Sequence, residues 1–366
     1  MRILYISHLG FDKATGLCWS VPSGISAQME YDECFWINTR ESCFDHWTAI
    51  SAFHRLIDIG GKLTLTEINK VFPYPDFVVF EGFYHMEAIP FAAELYKSGI
   101  PYIIIPRGSL TRQAFHNHSF LNYLKKKLAV FLFFKRYTRR AISLQFLTES
   151  EYKESGDGWN SNHFILPNGI SLPEKSRQSF RQRGLKIVYI GRPTIYHKGL
   201  DLLVKACKTV YSLLQRECVS VDCYVPEKND YTVFLKMIQD NGLQNIVTVH
   251  PAVFGKEKEM VLLDSDVFIM TSRFEGHPMG LIEAMSYGLP VAVTTGTNMA
   301  LEVEQNKAGW TSDCSVNGIC TMIEAIIKEK DLLPLKGSNA RNLAAQYEWR
   351  KLAAAFHETL TLLAQV

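Results

Sequence analysis

The sequence predicts two α/β domains, each built on a doubly wound parallel sheet, and three observations carry this prediction. Short runs rich in Val, Ile, Leu and Phe alternate with longer amphipathic stretches along almost the whole chain, as in βαβ units. The runs show little polar alternation, which is typical of strands covered on both faces. With 366 residues and 47% hydrophobic composition, the chain is long enough to bury two cores.

Nine apolar runs are predicted strands, and six stretches between them are predicted helices. The predicted strands are residues 3–7, 77–80, 102–105, 144–147, 186–190, 219–225, 246–249, 267–270 and 291–293. The predicted helices are residues 87–97, 121–140, 199–214, 231–241, 279–287 and 318–329. The turn residues Pro167-Asn168-Gly169-Ile170 precede a polar run and indicate a domain boundary near residue 168. Two Rossmann-like domains facing each other across a cleft would form a natural site for a nucleotide-bearing ligand.

Composition excludes several classes of protein. Formal net charge is only +2, which gives no whole-chain signal for nucleic acid. The eight cysteines show no CxxC spacing and no His/Cys cluster, so we expect buried thiols in a reducing compartment and no metal site. Residues 1–10 read as a first strand and not as a signal peptide. No apolar stretch reaches the roughly 18 residues of a membrane span. These features predict a cytoplasmic protein.

Residues 273–285, RFEGHPMGLIEAM, carry the strongest chemical signal. They follow a predicted strand, and Pro278 stands where a helix would begin. A helix N-terminus offers free N–H groups to a diphosphate, and Gly280 permits close approach of a ligand. Glu283 could accept two hydrogen bonds from a ribose diol, while Glu275 lies in the loop nearer the phosphates. The alternative is a surface acid plus an acid that stabilises the helix dipole.

A second loop, after the strand predicted at residues 186–190, places two cations together. Gly191 permits a tight turn at the carboxyl end of the strand, where open α/β sheets bind ligands. Arg192 and Lys198 could then bind phosphate oxygens and stabilise a departing diphosphate. The alternative is a pair of solvated loop cations.

In combination these motifs resemble the retaining GT-B glycosyltransferases of family four, often called group 1. The resemblance covers residues 160–366 with specific motifs and the first half more loosely. It rests on Gly191-Arg192 with Lys198-Gly199, the E-x7-E pair Glu275 and Glu283, Pro167-Asn168-Gly169-Ile170, the run EAMSYGLPV at 283–291, Ala308-Gly309-Trp310, and Tyr347-Glu348-Trp349.

The resemblance implies a fold and a set of roles. The fold would be GT-B, with an N-terminal acceptor-side domain over 1–168, a final helix at 350–366 crossing back to it, and a donor-binding domain over 169–349. The nucleotide-sugar donor would meet Arg192 and Lys198 at its pyrophosphate, Glu283 at its ribose and Glu275 at its sugar. His277, Met279 and Gly280 would complete the donor site. The family is metal-independent, so no cofactor is expected.

The first half departs from the family pattern. The predicted loop at residues 22–25 has Ser23 and Gly24 where relatives carry a Gly-Gly pair close to the donor phosphate and acceptor. Glu81 occupies the place of a family histidine, and His85 lies four residues further on. We expect either Glu81 or His85 to act in catalysis by contacting the acceptor or sugar, and Glu81 could also act as a base towards the acceptor. The alternative for His85 is a loop histidine that caps the following helix. Arg107, in a Pro-Arg-Gly loop, is expected on the acceptor side or as a structural cation.

Residues 95–148 contain no Asp or Glu and ten Lys or Arg, interleaved with aromatic residues. A basic amphipathic helix across Lys125–Arg140 could lie on an anionic membrane, which would suit a lipid-diphosphate-linked acceptor and peripheral attachment to the inner face of the cytoplasmic membrane. The alternative is a core helix with a solvated basic face. Nucleic acid is not expected as a partner, because no binding module accompanies the charge.

The sequence therefore predicts a retaining glycosyltransferase that moves a sugar from a nucleotide sugar to a glycan or lipid-linked glycan in surface polysaccharide synthesis. Two alternatives stay open at this point, a nucleotide-sugar epimerase and a nucleotide-sugar-binding protein without transfer activity. A nicotinamide dehydrogenase is disfavoured, because no G-x-G-x-x-G follows the first predicted strand.

Overall fold

The computed structural model describes residues 1–11, 16–111 and 130–365. These residues divide into two compact units. The N-terminal unit comprises Met1–Gly169 together with Trp349–Val366, and the C-terminal unit comprises Ile170–Glu348.

The described part of the N-terminal unit contains a seven-stranded parallel sheet in the order β3-β2-β1-β4-β5-β6-β7. Its strands are β1 (Arg2–Ser7), β2 (Glu33–Asn38), β3 (Phe53–Arg55), β4 (Phe77–Glu81), β5 (Tyr102–Ile105), β6 (Ser143–Phe146) and β7 (His163–Ile165). Its described α-helices are α1 (Leu17–Gln28), α2 (Asp45–Thr48), α3 (Leu65–Val71), α4 (Ala88–Lys97), α5 (Lys135–Arg140), α6 (Glu149–Ser155) and, after the C-terminal unit, α16 (Trp349–Leu363). The register sets Ser7 beside both Asn38 and Glu81, so the carboxyl ends of β1, β2 and β4 share one edge of the sheet.

The C-terminal unit contains a six-stranded parallel sheet in the order β10-β9-β8-β11-β12-β13. Its strands are β8 (Lys186–Ile190), β9 (Ser220–Val225), β10 (Val247–Pro251), β11 (Val267–Met270), β12 (Val291–Thr294) and β13 (Gly309–Ser312). Its helices are α7 (Ile195–Lys198), α8 (Leu200–Thr209), α9 (Tyr211–Arg216), α10 (Tyr231–Asp240), α11 (Gly255–Asp264), α12 (Met279–Ser286), α13 (Ala300–Gln305), α14 (Val316–Lys328) and α15 (Leu333–Ala344).

Each sheet is buried on both faces, which explains why its strands show little polar alternation. In β1, Leu4 and Ile6 belong to one hydrophobic core, while Ile3 and Tyr5 belong to another on the opposite face. Successive residues of β8 divide in the same way between the two cores of the C-terminal unit. The predicted fold class, two doubly wound parallel-sheet domains, is confirmed.

Several elements differ from the prediction. The predicted set lacks strands β2, β3, β7 and β13; the last three are edge strands of three or four residues, too short to show a pattern. The helix predicted over residues 121–140 falls partly outside the described residues; its described part is a π-helical turn, Val130–Phe134, followed by α5.

The loop predicted at residues 22–25 is wrong, because these residues lie inside α1. Pro22 has no N–H to donate to the carbonyl of Cys18 four residues earlier. That carbonyl instead accepts from Trp47 Nε1 at 2.9 Å, and His46 Nε2 lies 3.1 Å from it. A tertiary contact that no local pattern reveals therefore lets the helix continue through the proline.

Candidate functional site

A buried ion pair joins the end of α7 to the loop after β11. Lys198 Nζ lies 2.5 Å from Glu275 Oε1, and both side chains are about one-tenth exposed. Ser272 Oγ donates to the same carboxylate oxygen at 2.6 Å. Asn298 Nδ2 donates to the backbone carbonyl of Glu275. Two residues predicted from separate motifs, Lys198 and Glu275, are thus brought together, and both the side chain and the backbone of Glu275 are held in place.

The turn at Gly199 delivers Lys198 to this loop. Gly199 has a φ of +62°, and a Cβ there would lie 1.9 Å from the carbonyl oxygen of Thr271. Thr271 Oγ1 lies 3.1 Å from the carbonyl oxygens of both Lys198 and Gly199. Because Thr271 directly follows β11, the α7–α8 turn is fixed against the carboxyl end of that strand.

Arg273 also joins these two loops. Its guanidinium makes two 2.7 Å hydrogen bonds to the carboxylate of Asp201 and a third, also 2.7 Å, to the carbonyl of Tyr196. Its backbone N–H donates to the carbonyl of His197 at 2.9 Å. Partial burial alone would raise the pKa of Asp201, but the hydrogen bonds and charge of Arg273 lower it overall.

The electrostatics favour a charged Glu275 and a neutral His197. Burial alone would raise the pKa of Glu275, but the charge of Lys198 and hydrogen bonds from Lys198 and Ser272 lower it overall. Burial lowers the pKa of His197, and the nearby cations Lys198 and Arg192 lower it further. Arg192 itself is exposed at the carboxyl end of β8. The site therefore offers an anchored cation, a more accessible one and a buried carboxylate.

Helix α12 begins beside this cluster. Pro278 is its N-cap residue and Met279 its first residue, so the N–H groups of Met279 and Gly280 belong to the first turn, where an α-helix leaves four donors without intrahelical acceptors. A Cβ at Gly280 would lie 3.5 Å from the carbonyl oxygen of Ile190 at the end of β8. The start of the helix is thus held close to the carboxyl end of that strand.

His277 precedes this helix and is buried. Burial lowers its pKa to about 3, so its ring is neutral at physiological pH. The ring meets that of Tyr347 at a centroid distance of 5.2 Å. His277, predicted as a donor contact, packs against the interior of the C-terminal unit.

Glu283, predicted to bind ribose, lies in α12 and already has a charged partner. Lys258 Nζ, from α11, donates to Glu283 Oε2. The side chains are 20% exposed for Lys258 and 28% for Glu283, so the pair is only partly shielded from solvent. A carboxylate has about four acceptor positions, and one ammonium leaves room for a diol. Lys258 carries no motif, and sequence reasoning missed it along with Ser272, Asp201 and Asn298.

In the N-terminal unit, Glu81 and Arg107 form a second buried ion pair. Arg107 Nε donates to Glu81 Oε2 at 2.7 Å, and Nη1 lies 2.7 Å from Asn168 Oδ1 and 3.4 Å from Ser20 Oγ. The two charged side chains are 7% and 5% exposed. They line a pocket of about 50 Å³, together with Gly24, Gln145 and Trp349. The negative charge of Glu81 is thus balanced by the positive charge of Arg107, so each side chain has its ion-pair partner within the N-terminal unit.

His85 lies in a cluster of polar side chains at the carboxyl ends of β1, β2 and β4. Its ring centroid is 4.6 Å from that of His8. His8 Nδ1 lies 2.7 Å from Glu87 Oε1, and Arg40 Nε donates to His8 Nε2 at 2.8 Å. Burial, together with the charges of His8 and Arg40, lowers the pKa of His85 to about 4, so its ring is neutral near pH 7. Glu81 and His85 therefore belong to different clusters.

Ser23 and Gly24 lie inside α1. A Cβ at Gly24 would lie 3.2 Å from the indole of Trp349, and one at Gly169 would lie 2.4 Å from the same ring. The packing of Trp349 therefore explains both glycines without a ligand.

The basic stretch proposed for a membrane surface is described only in part. Lys125, Lys126 and Lys127 lie outside the described residues. In α5, Arg140 lies over the ring of Tyr96 at 4.3 Å from its centroid. Within the described ranges, no helix has both the length and the apolar character needed to cross a bilayer. Membrane association stays a prediction.

Residues 173–342 match the family model described as "Glycosyl transferases group 1". These residues are similar to a group 1 glycosyltransferase domain. The match covers most of the C-terminal unit and includes Arg192, Lys198, Glu275 and Glu283. The individual roles of these four residues in the group 1 domain stay predictions.

Three curated relatives match part of the chain. Sulfoquinovosyl transferase SQD2 of Arabidopsis thaliana is 25% identical over 173 residues, 45% of this chain and 31% of that protein. The putative colanic acid biosynthesis glycosyltransferase WcaL of Escherichia coli is 29% identical over 133 residues, 34% and 32% of the two chains. The amylovoran biosynthesis glycosyltransferase AmsK of Erwinia amylovora is 28% identical over 148 residues, 38% and 35%. The matched part of this chain spans about a third of the length of each.

Solved structures resemble the chain over its whole length. HepE of Anabaena in complex with UDP has a TM-score of 0.75 at 15% identity, with 99% of this chain and 100% of that one covered. Sucrose-phosphate synthase of Thermosynechococcus elongatus has a TM-score of 0.73 at 15% identity, with 99% and 98% covered. At such low identity these likenesses show the fold alone, which is GT-B, with the group 1 domain as its second half.

Proposed function

We propose that the chain is a glycosyltransferase that moves a sugar from a nucleotide-sugar donor to a glycan acceptor, with retention at the anomeric carbon and without a bound metal. The observation that carries the proposal is the group 1 domain with Lys198 and Glu275 paired beside the start of α12 and Glu283 further along the same helix. The UDP in the solved HepE structure supports a nucleotide ligand on this fold.

In the proposed reaction, the donor diphosphate lies against Arg192, Lys198 and the first N–H groups of α12. Cations and helix-terminal N–H groups stabilise the charge that develops on a departing diphosphate. Glu283 accepts hydrogen bonds from the ribose hydroxyls, and Glu275 contacts hydroxyls of the transferred sugar. The bond from the anomeric carbon to phosphate oxygen breaks, and a bond to the acceptor oxygen forms. The acceptor proton passes to the leaving diphosphate.

The proposed acceptor is a growing surface polysaccharide, free or lipid-linked. WcaL is named as a putative colanic acid biosynthesis glycosyltransferase and AmsK as an amylovoran biosynthesis glycosyltransferase, and these names support a polysaccharide as the acceptor. Retention and metal independence rest on the resemblance to the retaining group 1 enzymes. In this proposal Arg192 and Lys198 take the role that a metal ion has in other transferases.

A thermal-shift screen with nucleotide sugars and nucleoside diphosphates tests the donor site. A ligand at about 100 times its Kd adds about 2.7 kcal/mol to the stability of the folded state. We expect nucleotides that carry one particular base to raise the melting temperature of the wild type but not that of Glu283→Ala. The control variant Glu324→Ala, which removes an exposed acid from α14, should respond like the wild type. If no nucleotide raises the melting temperature of the wild type, the donor site is wrong. With the donor known, the anomeric configuration of the product, measured by NMR, tests retention.

A further inference from the structure

Three aromatic rings form a stack at the edge of the N-terminal sheet, outside every site described above. Trp19, in the first turn of α1, lies parallel to His46 at a centroid distance of 4.4 Å and an interplanar angle of 5°. His46 lies nearly parallel to Phe44 at 5.6 Å and 12°. Phe11 meets Phe44 edge-on at 5.8 Å. We call these four residues the aromatic platform.

The platform is exposed but rigidly supported. Trp19 is 40% exposed and Phe11 is 68% exposed. Beneath them, the fully buried Trp47 packs edge-on against Phe44 at 4.8 Å. His46 and Trp47 both reach the Cys18 carbonyl that Pro22 leaves without its helical donor. The break in the α1 hydrogen-bond ladder thereby fixes the ring of His46 beneath Trp19.

The platform lies on the side of the sheet where α/β folds bind ligands. Trp19 lies in the first turn of the helix that follows β1, and Phe44 and His46 follow β2, so all three lie beyond the carboxyl ends of strands. The His8 cluster of His8, Arg40 and Glu87 lies at the same edge. A Cβ at Gly10 would lie 3.0 Å from Arg40 Nη1, so the Arg40 guanidinium passes directly beside the residue that precedes Phe11.

Stacked rings beside charged hydrogen-bonding groups match the two-sided chemistry of a sugar. The C–H face of a pyranose packs on an aromatic face, while its hydroxyls need donors and acceptors around the rim. Arg40 is a donor and Glu87 an acceptor, and both are exposed. Each already contacts His8, and the remaining N–H groups of Arg40 and the remaining acceptor positions of Glu87 can serve sugar hydroxyls.

We infer that the aromatic platform binds a saccharide of the acceptor, with one sugar ring on Trp19 and with Arg40 and Glu87, at the same edge of the sheet, as hydrogen-bonding groups for other hydroxyls of the same glycan. This inference rests on the proposed function for the identity of its ligand, but its binding site lies wholly in the N-terminal unit and needs no nucleotide.

The test is binding of the folded full-length chain to an array of immobilised hexose and N-acetylhexosamine oligosaccharides, with no nucleotide present. We expect the wild type to retain at least one glycan. Trp19→Ala should bind that glycan roughly five- to tenfold more weakly, as expected for loss of one aromatic contact. Trp19→Phe should keep most of the affinity. Tyr96→Ala, which removes a 54% exposed ring from the last turn of α4, should bind like the wild type.

Equal binding by Trp19→Ala and the wild type would overturn the inference, as would a folded wild type that retains no glycan on the array. Near-UV circular dichroism establishes that each variant is folded. A chain that retains glycan through Trp19 but binds no nucleotide would keep this inference and remove the proposed function. A chain that binds nucleotide but no glycan would keep the proposed donor site and remove this inference.

Discussion

Glu275 is a buried carboxylate whose charge depends on one neighbour. Burial alone would favour the neutral acid, and the Lys198 ammonium at 2.5 Å outweighs it. Removing one partner of such a pair leaves a buried charge without compensation, a loss that often reaches about 3–5 kcal/mol. The pair therefore makes the C-terminal unit sensitive to the protonation state of a single residue.

This dependence predicts how stability changes with pH. The pKa of Glu275 in the folded state lies below its ordinary value of 4.5. Its contribution is therefore complete above about pH 4.5 and disappears as pH falls through the folded pKa. The free energy of unfolding of Glu275→Gln should lie below that of the wild type at pH 6, and the gap should narrow towards pH 3. Urea titrations of both proteins from pH 6 to pH 3 measure this difference in the free energy of unfolding. A difference that stays constant across the range would show that the ionisation of Glu275 contributes nothing to stability.

The site residues that the sequence predicts and those that it does not predict differ in what brings them into contact with their partners. Lys198 and Glu275 belong to motifs that follow neighbouring parallel strands, so their proximity follows from the fold. Lys258 reaches Glu283 across two helices, 25 residues apart in sequence. That contact depends on how α11 and α12 pack side by side, which leaves no spacing signal. Glu81 ends β4 and Arg107 follows the neighbouring parallel strand β5, so the fold brings them to one edge of the sheet, but neither motif shows that the two side chains pair with each other.

At the scale of an element, the turn between α7 and α8 depends on Gly199. A side chain in the left-handed region costs about 1–2 kcal/mol by itself, and a Cβ at Gly199 would also clash with the Thr271 carbonyl at 1.9 Å. Gly242 has a similar φ, +66°, with no heavy atom within 4 Å of its Cβ position. These two glycines therefore separate the conformational cost from the steric one.

We expect Gly199→Ala to be destabilised by clearly more than Gly242→Ala, and only Gly199→Ala to bind nucleotide more weakly. The reason is that relief of the clash must shift the α7–α8 turn or the backbone at Thr271, and the side chains of Lys198 and Glu275 are carried by these two segments. Denaturant unfolding and nucleotide titration on both variants measure the two effects. Equal losses of stability, with nucleotide affinity unchanged in both, would show that the turn does not position Lys198.

Helix α1 is an element that the sequence pattern does not predict at residues 22–25. The loop predicted at residues 22–25 rests on the resemblance to relatives with a Gly-Gly pair there, and Pro22 gives no sign of a helix, because proline in a helix interior usually breaks it at a cost of about 3 kcal/mol or more. The two side chains that replace the lost hydrogen bond come from α2, and their geometry exists only in the folded unit.

At the scale of the whole molecule, each unit buries its own cores, and α16 completes the N-terminal one although it follows the C-terminal unit in sequence. Ala353, Phe356 and Leu360 recur at helical spacing along its buried face. Leu360 is fully buried against residues of β1 and α1, whereas Leu362, two positions on, is 66% exposed. This pair offers a matched test of whether the two units are stabilised separately.

Leu360→Ala should cost about 2–5 kcal/mol through the lost apolar burial and the cavity left behind, and Leu362→Ala should change stability by less than about 0.5 kcal/mol. Because Leu360 packs only within the N-terminal unit, the loss should fall on that unit's unfolding transition. Nucleotide, which we propose binds the C-terminal unit, should still raise the other transition in Leu360→Ala. Differential scanning calorimetry with and without nucleotide resolves the two. A single transition that shifts as one in every sample would mean that the units unfold together, and that the fold is stabilised as a whole although its cores are separate.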